Sequence, residues 1–288
     1  MEKSLRIIYP VSEGFDFRKA RFHQIFQTAH ALARQGCEVD LLIGKNRINI
    51  LSEVLPYYEL PEHQNLRIHS ILMLRRERDQ FLRISWNGVF HLAALIKIRE
   101  LFRQRTYDAI FLRHLNLGLF FSRFKNRIPI PLIFETHEIF HLTTERKNKV
   151  RKIEAGESRV YNQIDGVVAT THWVAGKLRE IFNLQAPVAV IPNGANIQFF
   201  SATCRRPKMN KIVYVGQLYP WKGTGILIEA LKYVPQGELH IVGGGDQVQK
   251  MRQMALQVGV EGRIFFHGQV SPGQVRDHLA EATVAVHP

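Results

Sequence analysis

The chain has 288 residues, 45% of them hydrophobic and 22% charged, with 39 Lys and Arg against 25 Asp and Glu for a net charge of +14. That composition excludes a disordered or collagen-like chain, and no apolar run reaches the ~18 residues a membrane span requires. The two cysteines, Cys37 and Cys204, form neither a disulfide framework nor a metal-ligand spacing, which excludes a cysteine-stapled secreted domain and fits a cytosolic protein.

Short apolar runs alternate with helical periodicities along the chain. Residues 5–9 read as a strand. Residues 17–34 read as a helix, because Phe22, Ile25, Phe26, Ala29, Leu32 and Ala33 share one face. Gly36 stops this helix, and residues 39–43 form the next strand. Further strands are expected at 66–72, 108–112, 132–134, 166–169 and 188–191, with helices at 84–103, at 150–163 and from a Thr171 cap to 181. Strands that are apolar throughout and separated by helices imply a parallel sheet covered on both faces. Residues 199–210 are polar, contain Pro207 and lack a period, so they read as a linker between a domain at 1–198 and a second at 199–288. The alternation then restarts, with strands at 212–215, 239–242, 264–266 and 284–286 and helices at 223–233, 247–257 and 272–281.

Ligands of open α/β sheets bind beyond the C-terminal ends of the strands. After the first strand come Gly14, Arg18 and Lys19, which read as a loop and helix start suited to a phosphate. After the strand at 132–134 stands His137, flanked by Glu135 and Glu138, where an imidazole could bind a sugar hydroxyl or move a proton. Asn193-Gly194 predicts a tight turn with positive φ. Gly216, Gln217 and Lys222 lie between a strand and a helix. A lysine at a helix start opposes the dipole, so a bound anion is its simplest explanation. Gly243-Gly244-Gly245 implies a close backbone approach of a ligand or a neighbouring element. It is not a dinucleotide fingerprint, because residue 248 is Val.

The stretches VIPNGAN (190–196), VGQLYPWKG (215–223), LHIVGGGDQ (239–247), IFFHGQV (264–270) and VRDHLAEATVAVHP (275–288), in this order, resemble the retaining glycosyltransferases of family four. The resemblance implies a GT-B fold of two Rossmann-like domains. The first would bind a glycan or lipid-linked acceptor and the second a nucleotide-diphosphate sugar, with reaction in the cleft between them. It implies that Lys222 holds the donor diphosphate, that His137 faces the transferred sugar, that Gly14 lies near the diphosphate and that Gly243–Gly245 border the nucleotide. No metal or cofactor besides the donor is implied. Two departures stand out. Gln217 occupies a position where the family usually carries Arg, so Arg18 or another cation would have to compensate. The family's Glu-x7-Glu segment would begin shortly after Pro288, so the second domain is expected to be incomplete and this chain alone inactive.

Residues 1–200 carry 29 basic and 19 acidic side chains. With the basic amphipathic pattern of 81–105, this excess raises an anionic membrane surface as a partner. No aromatic-basic recognition motif supports nucleic acid. The weaker alternatives are a non-catalytic nucleotide binder of the same fold and an NAD(P) or nucleotide-sugar oxidoreductase.

Overall fold

A computed structural model describes residues 4–14, 20–44, 50–73, 86–201 and 207–288. In chain order the first elements are β1 (Arg6–Gly14), α1 (Ala20–Arg34), β2 (Glu38–Gly44), α2 (Ile50–Tyr57), β3 (Leu66–Ile71), α3 (Trp86–Gln104) and β4 (Ala109–Leu112). Next come α4 (Leu115–Arg123), β5 (Leu132–Thr136), α5 (Phe140–Thr143), α6 (Val150–Tyr161), β6 (Gly166–Ala169), α7 (His172–Phe182) and β7 (Val188–Val190). The remainder is α8 (Ile197–Ser201), β8 (Lys211–Val215), α9 (Thr224–Ala230), β9 (Glu238–Val242), α10 (Val248–Val258), β10 (Ile264–Gly268), α11 (Pro272–Ala280) and β11 (Val284–Ala285).

The chain divides into two units, one of Met1–Pro56 with Leu60–Gly194 and one of Tyr57–Glu59 with Ala195–Pro288. The first holds a seven-stranded sheet in the order β3-β2-β1-β4-β5-β6-β7, every pair parallel. The second holds a four-stranded parallel sheet in the order β10-β9-β8-β11. Both are doubly wound, as the uninterrupted apolar strands require. In β2 six consecutive residues from Val39 to Gly44 are buried, so both of its faces are covered. The first core gathers Ile8, Phe90, Ile110, Phe121, Phe134 and Leu178, and the second gathers Tyr214, Ile228, Ile241 and Met251.

Local chemistry sets the helix ends. Thr171 accepts from Val174 N–H to cap α7, and Asn183 leaves that helix in the left-handed conformation. Ser271 and Gln274 form a reciprocal capping box at α11. In α3, Phe90, Ala94, Leu95, Ile98 and Leu101 pack into the first core, while Leu92, Ile96, Arg99 and Arg103 face outward. Residues 81–85 of the basic segment lie outside the described residues.

Three sequence expectations need correction. Strand β1 does not stop at residue 9 but continues to Gly14, pairing Pro10 with Leu42, Val11 with Ile43 and, past an irregularity, Gly14 with Gly44. Proline is tolerated there because β1 pairs with β4 only at Ile7 and Ile8, so Pro10 has no partner to donate to on that side. Neither Asn193 nor Gly194 has a positive φ; that conformation falls to Asn183 and Asn210 among the described asparagines. Residues 197–201, overlapping the expected linker, form the short helix α8, with the Asn196 carboxamide oxygen accepting from Phe199 N–H at 3.1 Å.

The N-terminal edge of the first sheet is an ion-pair network. Glu38 and Asp40 bind Arg67 and Arg105, and Glu38 also binds Arg6. Burial alone would raise the Asp40 carboxyl, but hydrogen bonds from His69, Arg67 and Tyr107 hold it down to about 2. A carboxyl whose folded value lies below its ordinary value of 3.8 stabilises the protein above that pH, and the contribution fades as pH falls toward about 2. Urea titrations should therefore show stability dropping across that acid window, and Asp40→Asn should flatten the drop while lowering stability at neutral pH.

Candidate active site

The two sheets present different chemistry at their C-terminal edges. In the first, the strand order reverses between β1 and β4, which places the crevice of the doubly wound sheet beside the ends of those strands. Gly14 ends β1 there; Arg18 lies outside the described residues. Arg113 and His114 follow β4, and Glu135 is the penultimate residue of β5.

A polar chain links these ends. His137 Nε2 lies 3.4 Å from Glu135 Oε1, and Arg113 Nη1 lies 3.7 Å from Glu135 Oε2. Arg113 Nη2 donates to Gln24 Oε1 on α1 at 2.5 Å, and Gln24 Nε2 donates to Asn193 Oδ1. Glu138, the other carboxylate beside His137 in sequence, accepts from Thr143 Oγ1 at 2.6 Å. The stretch after β5 is held from α6. Glu157, fully buried, accepts from the backbone N–H groups of Phe140 and His141 and pairs with His141 Nδ1 at 2.6 Å, while Tyr161 donates to Thr136 Oγ1. His137 thus stands on a fixed loop with its imidazole a quarter exposed.

Among the described residues, Arg113 Nη1, Glu135 Oε2 and His137 Nε2 are buried without a hydrogen-bond partner. Burial, followed by the charge of Glu135, pushes the Tyr9 hydroxyl well up. Under-satisfied polar groups beside a strand-end crevice mark a candidate site for a polar ligand. Close by, Ser12 Oγ and His91 Nε2 share a buried hydrogen bond of 2.9 Å, and burial, then His114, lowers the His91 imidazole to about 4. Arg113 and Glu135 side chains are 11% and 8% exposed, so Arg113→Ala would leave a buried carboxylate without its cation. The expected cost is about 3 kcal/mol, read as a lower urea midpoint.

In the second unit the order reverses between β8 and β11. The segment from Gly216 to Gly223 leaves β8 at that point, through a short 3-10 turn at Pro220–Lys222, with Gly223 left-handed before α9. Helix α9 has seven residues and passes into a second 3-10 turn, so it is shorter than the sequence pattern at 223–233 implies. Lys222 therefore precedes the helix by two residues, and its own charge outweighs any dipole effect there. It is half-buried, and no carboxylate pairs with it among the described residues. Tyr219 and Trp221 stack on the same turn, centroids 4.7 Å apart, with Trp221 exposed.

The glycines join two loops. A Cβ on Gly243 would lie 1.9 Å from the Gly216 carbonyl oxygen, and one on Gly245 would lie 2.8 Å from that of Leu218. Gly216 N–H donates to Val242 O at 2.9 Å and Leu218 N–H to Gly244 O at 2.7 Å. Close approach at Gly243 and Gly245 is therefore to a neighbouring loop. Gly244 differs, since a Cβ there would meet nothing within 4 Å. At Gly216 an added Cβ would meet the Tyr214 hydroxyl at 2.8 Å, and that hydroxyl donates to Gln217 O. Lys222 and the Gly216–Gln217 backbone are thus set by contacts that side chains at 216 or 243 would break.

The sequence singles out His137, Lys222 and the glycine loops as candidates, and it does not show that Arg113, Gln24 and Asn193 join in one network. Arg113 and Asn193 signal themselves only by following β4 and β7, and Gln24, on α1, carries no signal at all.

Two Rossmann-type units, each with polar loops at the reversal of its strand order, define the GT-B class of glycosyltransferase architecture. The chain belongs to glycosyltransferase family 4, whose model matches residues 23–199, and the model described as glycosyl transferases group 1 matches residues 198–288. It is similar to the D-inositol 3-phosphate glycosyltransferase of Mycobacteroides abscessus, with 23% identity over 177 residues, covering 54% of this chain and 39% of that protein. It is also similar to the GDP-mannose-dependent alpha-(1-6)-phosphatidylinositol monomannoside mannosyltransferase of Mycolicibacterium smegmatis, with 26% identity over 45% of this chain and 38% of that protein. The chain thus spans well under half the length of these relatives. Sucrose-phosphate synthase from Thermosynechococcus elongatus shares the fold at TM-score 0.72 and 18% identity, over 99% of this chain and 75% of that one. Anabaena HepE in complex with UDP and glucose does so at TM-score 0.66 and 17% identity, over 98% and 74%.

Proposed function

We propose that the chain serves a retaining glycosyltransferase that moves a sugar from a nucleotide-diphosphate sugar to a glycan, lipid-linked or polysaccharide-precursor acceptor. The observation that carries the reading is Lys222, which pairs with no carboxylate among the described residues and stands on the loop that leaves β8 at the reversal point of the second sheet. In this reading Lys222 binds the diphosphate and stabilises the charge it gains as the bond to the anomeric carbon breaks. Gln217 contributes polarity without charge, and Gly244 leaves room for the nucleotide. His137, oriented beside Glu135, faces the transferred sugar, and the acceptor oxygen bonds to the anomeric carbon on the face the diphosphate leaves.

The acceptor is proposed to be anionic or lipid-linked. Two relatives are named for inositol 3-phosphate and phosphatidylinositol mannoside acceptors, and residues 1–200 carry an excess of ten positive charges, 29 basic minus 19 acidic. No described helix is long and apolar enough to cross a membrane. The outward stripe of Leu92, Ile96, Arg99 and Arg103 on α3 suits contact with an anionic lipid surface at the cytosolic face. Co-sedimentation with vesicles that does not depend on anionic lipid would remove that part.

The donor reading is tested by thermal stabilisation against a panel of UDP-, GDP- and ADP-sugars. One nucleotide is expected to raise the Tm of the second unit, and no response to any of them would refute the reading. The anomeric configuration of the product, read by NMR, tests retention.

A further inference from the structure

Outside the loops described above, three imidazoles from three elements of the second unit converge. His240 stands on β9, His267 on β10 and His278 on α11, and one nitrogen from each lies within 4.8 Å of the others. His240 Nδ1 and His267 Nε2 are 2.9 Å apart and their rings stack within 8°. The His267 and His278 rings are 4.2 Å apart. The sequence has no metal-ligand spacing here, because these residues are separated by 27 and 11 positions and meet only when α11 folds onto the sheet. We infer that His240, His267 and His278 form a site for one divalent transition-metal ion of the zinc class, joining β9, β10 and α11.

Four observations support it. Three neutral imidazoles suit zinc, copper or nickel and do not suit magnesium or calcium, which take oxygen ligands. Zn–N bonds of ~2.1 Å in a tetrahedron require nitrogens about 3.4 Å apart. The observed separations, from 2.9 Å to at most 4.8 Å, bracket that spacing, so small ring rotations suffice. Among the described residues, His278 Nδ1 is buried with no hydrogen-bond partner, a poor arrangement for an imidazole whose role is packing alone. Finally, Glu238 Oε2 lies 3.7 Å from His240 Nε2, the ring nitrogen turned away from His267. A carboxylate behind a ligating imidazole fixes the ring and raises its basicity.

The surrounding charges permit a cation. Lys211 is an opposing charge that acts on all three imidazoles, and its ammonium is held by Glu281 at 2.9 Å. Asp277 on α11 adds a further carboxylate facing His278. His267 is exposed, which leaves a fourth position open to water or another ligand.

The test uses the whole chain without a polyhistidine tag, titrated calorimetrically with zinc chloride and, separately, with cobalt chloride followed by its visible absorption. The expected result is one zinc per chain, the absorption of a four-coordinate cobalt centre, and a rise in Tm. His267→Ala, at an exposed position that should not disturb folding, should weaken zinc at least ~10-fold, and His278→Ala should do the same. The other ten of the thirteen histidines provide the internal control. Absence of saturable zinc binding, or binding unchanged in both variants, would overturn the assignment. Because none of the three residues belongs to the donor loops, failure here leaves the glycosyltransferase reading untouched, and the converse also holds.

Discussion

Lys222→Ala, made in the complete protein, is expected to lower sugar transfer by roughly 30- to 1,000-fold while leaving the fold intact. A charge-assisted contact to a leaving group contributes roughly 2–4 kcal/mol in the transition state, which sets that range. The loss should fall mainly on kcat/KM, because the diphosphate is bound in the ground state and gains charge as the bond breaks. Stability should change little. Lys222 has no ion-pair partner among the described residues, so its removal leaves no carboxylate uncompensated. Lys222→Arg keeps the charge but presents it as a planar fork and should recover part of the rate. An unchanged rate in Lys222→Ala would mean that another group meets the diphosphate.

The second large effect is expected at Gly243. Its φ of +146° and the 1.9 Å between an added Cβ and the Gly216 carbonyl oxygen leave Gly243→Ala no low-energy conformation. Strain and collision together should cost about 3 kcal/mol or more. The β8 and β9 loops would part, and with them the bonds from Gly216 N–H to Val242 O and from Leu218 N–H to Gly244 O. Because Lys222 follows on the same loop, donor binding should fall together with the Tm of the second unit. Gly244→Ala is the matched control, one residue away with open space at its Cβ. It should leave stability nearly unchanged, and any loss of donor affinity there would report a direct steric contact with the nucleotide. Equal stability of the two variants, seen as superimposable thermal transitions, would refute this account of the glycine run.

The layer architecture was legible because buried parallel strands write themselves as continuous apolar runs, as at 39–43 and 239–242. The extension of β1 to Gly14 was not, because Pro10 and Ser12 break the run and only pairing with β2 decides where the strand ends. Asn193-Gly194 was misread for a related reason. The dipeptide favours a left-handed turn in isolation, but here the Asn193 side chain is tied to Gln24, 169 positions away. Helix α9 stops short because a 3-10 turn takes over at Leu231, and nothing in the apolar spacing distinguishes the two.

Within the candidate site, residues carried by a loop motif were readable and residues that meet across strands were not. Lys222 and the glycines announce themselves by their place between a strand and a helix. Arg113 and Glu135 belong to different strand ends, and each alone reads as an ordinary polar residue after an apolar run. The glycine run carried a double meaning that only geometry resolves: Gly243 and Gly245 admit a neighbouring loop, and Gly244 faces open space.

A crystal of this chain soaked with the nucleotide sugar that stabilises it gives the most direct test. The donor's two phosphates should lie within hydrogen-bond reach of Lys222 Nζ, beyond the C-terminal ends of β8 and β11. Phosphates bound at any other strand end, with Lys222 left without one, would contradict the account.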